Sequence, residues 1–341
     1  MKINDLAKRL NLTHRAIRLY EAKGLLKPER GEENGYRYYT DMDAWRLQTI
    51  SALREIGLSL EQIKAMLGRL EQGDSATVHH FLELQRMALA AKWVEWKYAI
   101  GMLDELIARL EFKGQLDVAD LFQLAGELKQ IHHSQASWMD EWGFDRLAAN
   151  FDRASALHSA GSALSQKEYE TSLDFVVQWV APKQGEPGLD IGTGTGNLAG
   201  RMLEGGAAMS AVDQSKEMLA KCRAKFPEVA AKLGNALALP FVDKQFGFVV
   251  SAFALHHLDD KQQELALEEM DRVLAPNGRI CLAGLMKDGA ELGVGAGAGH
   301  DSTKHPTDRV KLLAWFRDRD YITVSHAVNE WIHVVYAVRK H

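Results

Sequence analysis

GLDIGTGTGN, residues 188–197, decides how the larger part of the chain is read. A short apolar run through Leu189 and Ile191 enters a loop with Gly192, Gly194 and Gly196, and a helical pattern starts near Asn197. Glycines at these positions let the backbone approach a ligand closely. The helix start beyond them offers free N–H groups and the positive end of the macrodipole. The sixth position counted from Gly192 is Asn197, so the loop is GxGxG and not the GxGxxG of a dinucleotide site, which argues against nicotinamide or flavin. Working outward, AMSAVD (208–213), FGFVVSA (246–252), RICLAGL (279–285), YITVSHAV (321–328) and WIHVVYAV (331–338) are strand-like runs alternating with amphipathic helical patterns. That alternation implies an α/β architecture with a mostly parallel sheet. The second of these strands ends in Asp213, twenty-one residues past Gly192, where an acid can accept both hydroxyls of a ribose.

The chain is 341 residues long, enough for two domains, with 46% hydrophobic and 26% charged residues, which excludes disorder and collagen. Its only cysteines, Cys222 and Cys281, are too far apart for a metal-binding pair, and a disulfide scaffold is excluded as well. The opening MKINDLAKRL carries charge where a secretion signal needs apolar residues, and no stretch is long and apolar enough to span a bilayer; the expectation is a cytoplasmic protein with no membrane partner. The net charge of −5 divides unevenly: residues 1–70 hold 13 Lys+Arg against 9 Asp+Glu, leaving 28 against 37 beyond them. A basic head on an acidic body suggests that the head alone meets a polyanion.

Within the head, Asn4 is a candidate cap for a first helix and Thr13 for a second, THRAIRLYEAKG, which Gly24 stops. Ile17, Leu19 and Tyr20 are expected inside, with His14, Arg15 and Arg18 projecting outward. NGYRYY, residues 34–39, starts with an Asn-Gly turn and alternates as a strand. Helices 41–56 and 60–70 follow, with Ser59 placed to cap the second. INDLAKRLNLTHRAIRLYEAKGLLKPER (3–30) and NGYRYYTDMDAWRLQTISALREIGLSLEQIKAML (34–67) together resemble the winged helix-turn-helix domain of the MerR family. The resemblance implies a homodimer bound to double-stranded promoter DNA, with RNA polymerase as a further partner. It places His14, Arg15, Arg18 and Tyr20 on the recognition helix and Tyr36, Arg37 and Tyr38 on the wing. Arg37 is assigned a phosphate contact, since an arginine on a wing has little else to bind.

Leu89, Trp93, Trp96, Ile100, Leu103, Ile107 and Leu110 then recur in alternating steps of four and three, the seam of a coiled coil. The MerR resemblance implies that this helix pairs antiparallel between subunits. His79-His80 and His132-His133 are adjacent pairs pointing apart on a helix, and no metal site is expected. Residues 113–165 read as a helical linker or lid with Trp138, Trp142, Phe144 and Phe151.

GNALALPF (234–241), FVVSAFALHHL (248–258) and LEEMDRVLAPNGRI (267–280), added to the glycine loop, resemble class I S-adenosylmethionine-dependent methyltransferases of the small-molecule branch. The resemblance places Asp190, Gly192, Gly194 and Gly196 around the methionine end of S-adenosylmethionine and Asp213 at the ribose. Met218 falls on one face of the adenine, with Asn235 and Ala236 at its edge. Many relatives have Asp where this chain has Asn235, whose amide oxygen can still accept. His256 and His257, just after a strand at the ligand-binding edge, are candidate catalytic residues for a methyl acceptor or small-molecule effector. The Gly-rich stretch 293–306 carries His300 and His305.

The expected organisation is therefore multidomain. An all-α winged helix-turn-helix (1–70) and a dimerisation coiled coil (71–112) precede the linker (113–165) and an α/β Rossmann-like methyltransferase domain (166–341). Two further readings stay open: an enzyme whose head only autoregulates its gene, and a catalytically inactive sensor.

Overall fold

The computed structural model describes residues 1–30, 36–55, 57–113, 144–152, 164–289 and 305–340, with Phe122 and Gly126. The Asn34-Gly35 turn, Trp138, Trp142, the His132-His133 pair and His300 lie outside the described residues. The chain divides into two compact units, Met1–Leu89 and Ala90–His341, the division falling inside one long helix. Among the described residues, no helix is long and apolar enough to cross a membrane.

In the first unit, α1 (Ile3–Leu10) and α2 (His14–Ala22) are followed by an antiparallel pair, β1 (Glu29–Arg30) and β2 (Arg37–Tyr38), then α3 (Asp41–Glu55) and α4 (Leu60–Glu71). Thr13 caps α2 by accepting from the Ala16 amide at 3.1 Å, and Ser59 with Gln62 closes a reciprocal capping box on α4. The first helix begins two residues earlier than Asn4 would set it, with Lys2 at the cap position. Leu6, Ile17, Tyr20, Leu47, Ile50 and Ile63 form the core. Leu19, expected inside, is 44% exposed instead. Its neighbours explain this: Ile17 and Tyr20, three apart, already share the inward face, and about 100° per residue turns Leu19 away from it.

The long helix α5 (Ser75–Lys113) runs into the second unit. All seven seam residues are exposed, from 39% at Leu89 to 63% at Trp96. The buried Val94 and Leu106 and the half-buried Tyr98 occupy the opposite side of the helix at about 100° per residue. After α6 (Phe144–Leu147) and α7 (Gln166–Val180), the chain alternates β3 (Pro187–Ile191), α8 (Asn197–Glu204), β4 (Ala208–Asp213), α9 (Lys216–Lys225), β5 (Ala230–Leu233), β6 (Phe246–Ala252), α10 (Asp260–Val273) and β7 (Leu274–Lys287). It closes with β8 (Thr307–Asp308), α11 (Arg309–Arg317), β9 (Tyr321–Ala327) and β10 (Ile332–Arg339).

The sheet order is β5-β4-β3-β6-β7-β10-β9, with β8 beside β7. The strands β3 to β8 pair in parallel, while β10 lies antiparallel between β7 and β9, so the sheet is mixed. Alternate residues feed two cores. Val249, Ile280, Leu282 and Val335 meet α10 and α11 on one face, and Phe248, Val250, Cys281 and Val334 meet α7 and α8 on the other. The order reverses between β3 and β6, which opens a crevice at their carboxyl ends.

The register opposes Gly188 on β3 to Phe248 on β6, and a Cβ built on Gly188 would stand 2.1 Å from that ring. Gly188→Ala is expected to cost about 1–3 kcal/mol through overpacking, read as a lower urea midpoint, and Phe248→Leu in the same chain should recover part of the loss.

Candidate functional site

Two surfaces carry the polar chemistry, one in each unit. In the first, the Thr13 cap starts α2 so that His14, Arg15 and Arg18 are exposed together on one face. Tyr36, Arg37 and Tyr38 are exposed on and beside β2. Tyr20 is not with them: it is buried in the core, where it supports the helix. Arg37 has a partner within the chain. Its Nε stands 2.9 Å from Oε2 of Glu21, whose side chain is only 11% exposed and whose Oε1 also accepts the Tyr39 hydroxyl. Burial and the Glu21 hydrogen bond both hold the Tyr39 phenol above its usual range. Contrary to the expectation that Arg37 has little else to bind, it pairs with Glu21 on the last turn of α2, a partner that local periodicity does not reveal.

The second surface is the crevice where the strand order reverses. Gly192, Gly194 and Gly196 all take positive φ, at 68°, 55° and 87°. A Cβ on Gly192 would fall 2.4 Å from Cβ of Ala254 beyond β6, and one on Gly196 would fall 2.6 Å from Sγ of Cys222. The loop is thus a cradle that side chains would fill. It is anchored to β4: the Gly192 and Thr193 amides donate to Val212 O, and the Gly194 amide donates to Asp213 Oδ2 at 2.8 Å. The other Asp213 oxygen accepts from the Ser215 amide at 2.9 Å. Ser215 caps α9 by accepting from the Met218 amide, and Met218 is buried beneath. The Gly234 amide donates to Asp213 O, bringing Asn235 and Ala236 to the same edge. Asn235 Oδ1 already accepts from the Leu237 amide at 2.7 Å, which leaves one lone pair for a ligand.

Asp190 is fully buried, and its Oδ2 accepts from Thr193 Oγ1 and from the Ala199 amide. Burial nevertheless pushes its carboxyl up to about 7, against those hydrogen bonds and with the Asp213 charge adding to the effect. His256 and His257 follow β6 in a short 3-10 turn, their rings 4.1 Å apart at the centroids. The His257 ring meets Phe144 edge-on at 5.1 Å, and His256 O accepts from the His305 amide. The cofactor residues expected from the sequence therefore converge on one crevice, with the two histidines beside them.

One component was missed. The segment Phe144–Asp152 lies across this edge. Asp145 accepts from the Ser215 hydroxyl at 2.6 Å and the Glu217 amide at 3.2 Å, capping α9 from outside. Asp152 accepts from Thr195 Oγ1, Asn197 and Lys225. Partial burial opposes ionisation of Asp152, but the Thr195 and Lys225 bonds outweigh it and hold the carboxyl below its usual range. The Phe151 ring stands in van der Waals contact with the Cβ position of Gly194. A signal was present: Phe-Asp occurs at 144–145 and again at 151–152, seven residues on, which returns both pairs to one helical face.

Comparison with known proteins agrees with both surfaces. Residues 1–70 match the MerR HTH family regulatory protein model, and residues 189–278 match a methyltransferase domain. An uncharacterized methyltransferase of Alkaliphilus oremlandii is 30% identical over 150 residues, covering 43% of this chain and 68% of that protein. Another, from Mycobacterium tuberculosis, is 34% identical over 160 residues, covering 46% and 61%. The ubiquinone/menaquinone biosynthesis C-methyltransferase of Cereibacter sphaeroides is 32% identical over 145 residues, covering 40% of this chain and 55% of that one. The chain belongs to the methyltransferase family, and it carries a MerR-type helix-turn-helix domain ahead of the methyltransferase domain.

The raised Asp190 pKa has a definite pH consequence. An unfolded Asp titrates near about 4, so between about 4 and 7 the folded state holds a proton that the unfolded chain has lost. Stability from this group is therefore full below that window, falls as pH rises through it, and is level above. Both hydrogen bonds use one oxygen, so Asp190→Asn keeps them. The thermal midpoint of Asp190→Asn is expected to match wild type at pH 4.5 and exceed it at pH 8; equal midpoints at both would show that Asp190 is ionised throughout.

Proposed function

We propose that this protein is a DNA-binding transcription regulator of the MerR type whose second unit binds S-adenosylmethionine and transfers its methyl group to a small molecule. One observation carries the reading: the positive-φ glycine loop is tied by the Gly194 amide to the acid at the end of the next strand, Asp213, at the strand-order reversal. That arrangement matches a nucleoside joined to an amino acid. The glycine loop faces the methionine portion, Asp213 stands at the ribose, and Met218, Asn235 and Ala236 frame the adenine. The bound cofactor supplies a methyl group on a cationic sulfonium. Asp190, whose burial raises its carboxyl to about 7, is expected to shift toward the ionised form beside that cation and add attraction.

Methyl transfer is an in-line displacement, so the protein's main task is to fix the acceptor against the methyl carbon. Phe144, His256 and His257 form the wall that does this, and His257 is the base for an acceptor that must lose a proton. The Phe151 ring and the Asp145 and Asp152 anchors cover the crevice and exclude water.

In the first unit, His14, Arg15 and Arg18 read the major groove while Tyr36, Arg37 and Tyr38 meet phosphates as a wing, with RNA polymerase as partner at the promoter. Seven large apolar residues exposed along α5 at heptad spacing support a homodimer through an antiparallel coiled coil.

Calorimetry with S-adenosylhomocysteine is expected to show binding that Gly194→Val abolishes, because Val strains a φ of 55° and crowds Phe151. Comparable affinity in the variant would overturn the site. Trp96→Glu with Ile100→Lys should turn a dimer into a monomer in sedimentation; a wild-type chain that sediments as a monomer at every concentration removes the coiled-coil reading. Footprinting on selected DNA should show an inverted repeat. Arg18→Ala is expected to cost about 1–3 kcal/mol there and to relax base preference.

A further inference from the structure

The LEEMDRV run plays no part in the proposed chemistry, and its buried ion pair explains why it is there. Arg272 and Glu269 on α10 have side chains only 4% and 6% exposed. Arg272 spends its donors completely. Nε and Nη2 reach the two Glu269 oxygens at 2.6 Å each, and Nη2 also donates to Leu239 O at 3.1 Å. Nη1 donates to Phe241 O and to Asp243 Oδ1, both at 2.8 Å. Glu269 Oε2 in turn accepts from the Leu239 amide at 2.8 Å. The stretch from Leu239 to Asp243 is therefore held through backbone N–H, two carbonyls and a carboxylate. It continues directly from Asn235 and Ala236, the residues assigned to the adenine edge.

Asp243 faces two ways. Oδ1 binds the buried guanidinium, and Oδ2 accepts from Lys97 Nζ of α5 at 3.2 Å. Partial burial opposes its ionisation, but the Arg272 and Lys97 bonds outweigh it and keep the carboxyl below its usual range. One residue along α5, the Tyr98 hydroxyl donates to Glu268, the neighbour of Glu269 on α10, and Glu268 also accepts from Arg319. The helix with the exposed apolar seam is thus bonded to Asp243 of the clamp and, through Tyr98, to Glu268 beside the clamp on α10.

We propose that Arg272 is a positioning residue for the adenine-edge loop, and that Asp243 and Glu268 link this loop to Lys97 and Tyr98 so that cofactor occupancy is felt by the seam helix. The inference rests on the S-adenosylmethionine reading and goes beyond it by naming the route to α5. Lysine cannot replace Arg272, because three donors on a point charge cannot serve five acceptor contacts set in a planar fork.

Hydrogen exchange of the full chain with and without S-adenosylhomocysteine, alongside calorimetry, tests this. In wild type, the ligand should slow exchange both in residues 235–241 and in α5 around Lys97 and Tyr98. Lys97→Met combined with Tyr98→Phe is expected to bind within about twofold of wild type and to keep the loop response while losing the helix response. Arg272→Lys should weaken binding about tenfold and lose both. Asp243→Asn, which keeps an acceptor for Arg272, guards against a folding defect and should blunt the helix response while keeping the loop response. Wild-type binding with no change in α5, or a full helix response in the Lys97→Met, Tyr98→Phe chain, sinks the linkage alone. Unaltered affinity in Arg272→Lys sinks the positioning role. No binding by wild type sinks both this inference and the cofactor reading beneath it.

Discussion

The hydrogen bond from the Gly194 amide to Asp213 Oδ2 fixes the shape of the crevice before any ligand arrives. Parallel pairing of Ile191 with Val212 brings the ends of β3 and β4 side by side, and the amides of Gly192 and Thr193 use up the Val212 carbonyl. The loop can then turn back only through left-handed residues, which is why three glycines occur in alternation. With Ser215 N on its other oxygen, Asp213 is locked in one rotamer. The orientation entropy is already spent in the free protein, which is what makes the site selective for a ligand of one shape.

Charge follows from the same geometry. Asp190 and Asp213 end adjacent strands, and Asp190 is buried so completely that its ionisation is unfavourable without compensation. Asp145 and Asp152 sit further out, where Ser215, Thr195 and Lys225 satisfy them. The innermost acid, Asp190, thus sits where burial disfavours its charge and a nearby cation would favour it. A neutral or anionic nucleotide gains nothing from that arrangement, whereas a sulfonium with an ammonium group on the same chain does. The acidic balance of the chain beyond residue 70 is consistent with this, although most of that charge lies on solvated surfaces.

Element ends that local physics decides were legible in the sequence. The caps at Thr13 and Ser59, the glycine turn after β3 and the end of β4 at Asp213 each depend on neighbours within a turn or one strand-helix unit, and the apolar spacing of residues 89–110 falls on one continuous helix. What escaped depends on distant partners. The strand β5, with sequence AAKL, is too weakly apolar to stand out and is a strand because β4 pairs with it. The antiparallel insertion of β10 is a matter of topology, which strand composition does not encode. Asp145 and Asp152 find their donors some seventy and forty residues further on, and Arg37 meets Glu21 through tertiary packing. The misjudged Leu19 shows that a helical face cannot be centred from two apolar neighbours when a third competes for the same arc.

The helix α5 shows how two constraints on one element restrict what it can do. Its seam residues are exposed while Val94 on the other side is buried, so rolling the helix to cover the seam would expose Val94. Lys97 and Tyr98 add polar bonds to Asp243 and Glu268, which fix its register along the sheet domain as well as its rotation. A ligand changes the population of two arrangements only by its difference in affinity for them. Here such a difference has a physical source. The stretch after Ala236 holds the Arg272 guanidinium, and the Asp243 carboxylate bonds both Arg272 and Lys97 of α5, so a shift of Asp243 bears on both. The Arg272–Glu269 pair at one end of this route is buried and the Lys97–Asp243 pair at the other is half-exposed, so the clamp resists distortion more than its contact with α5 does.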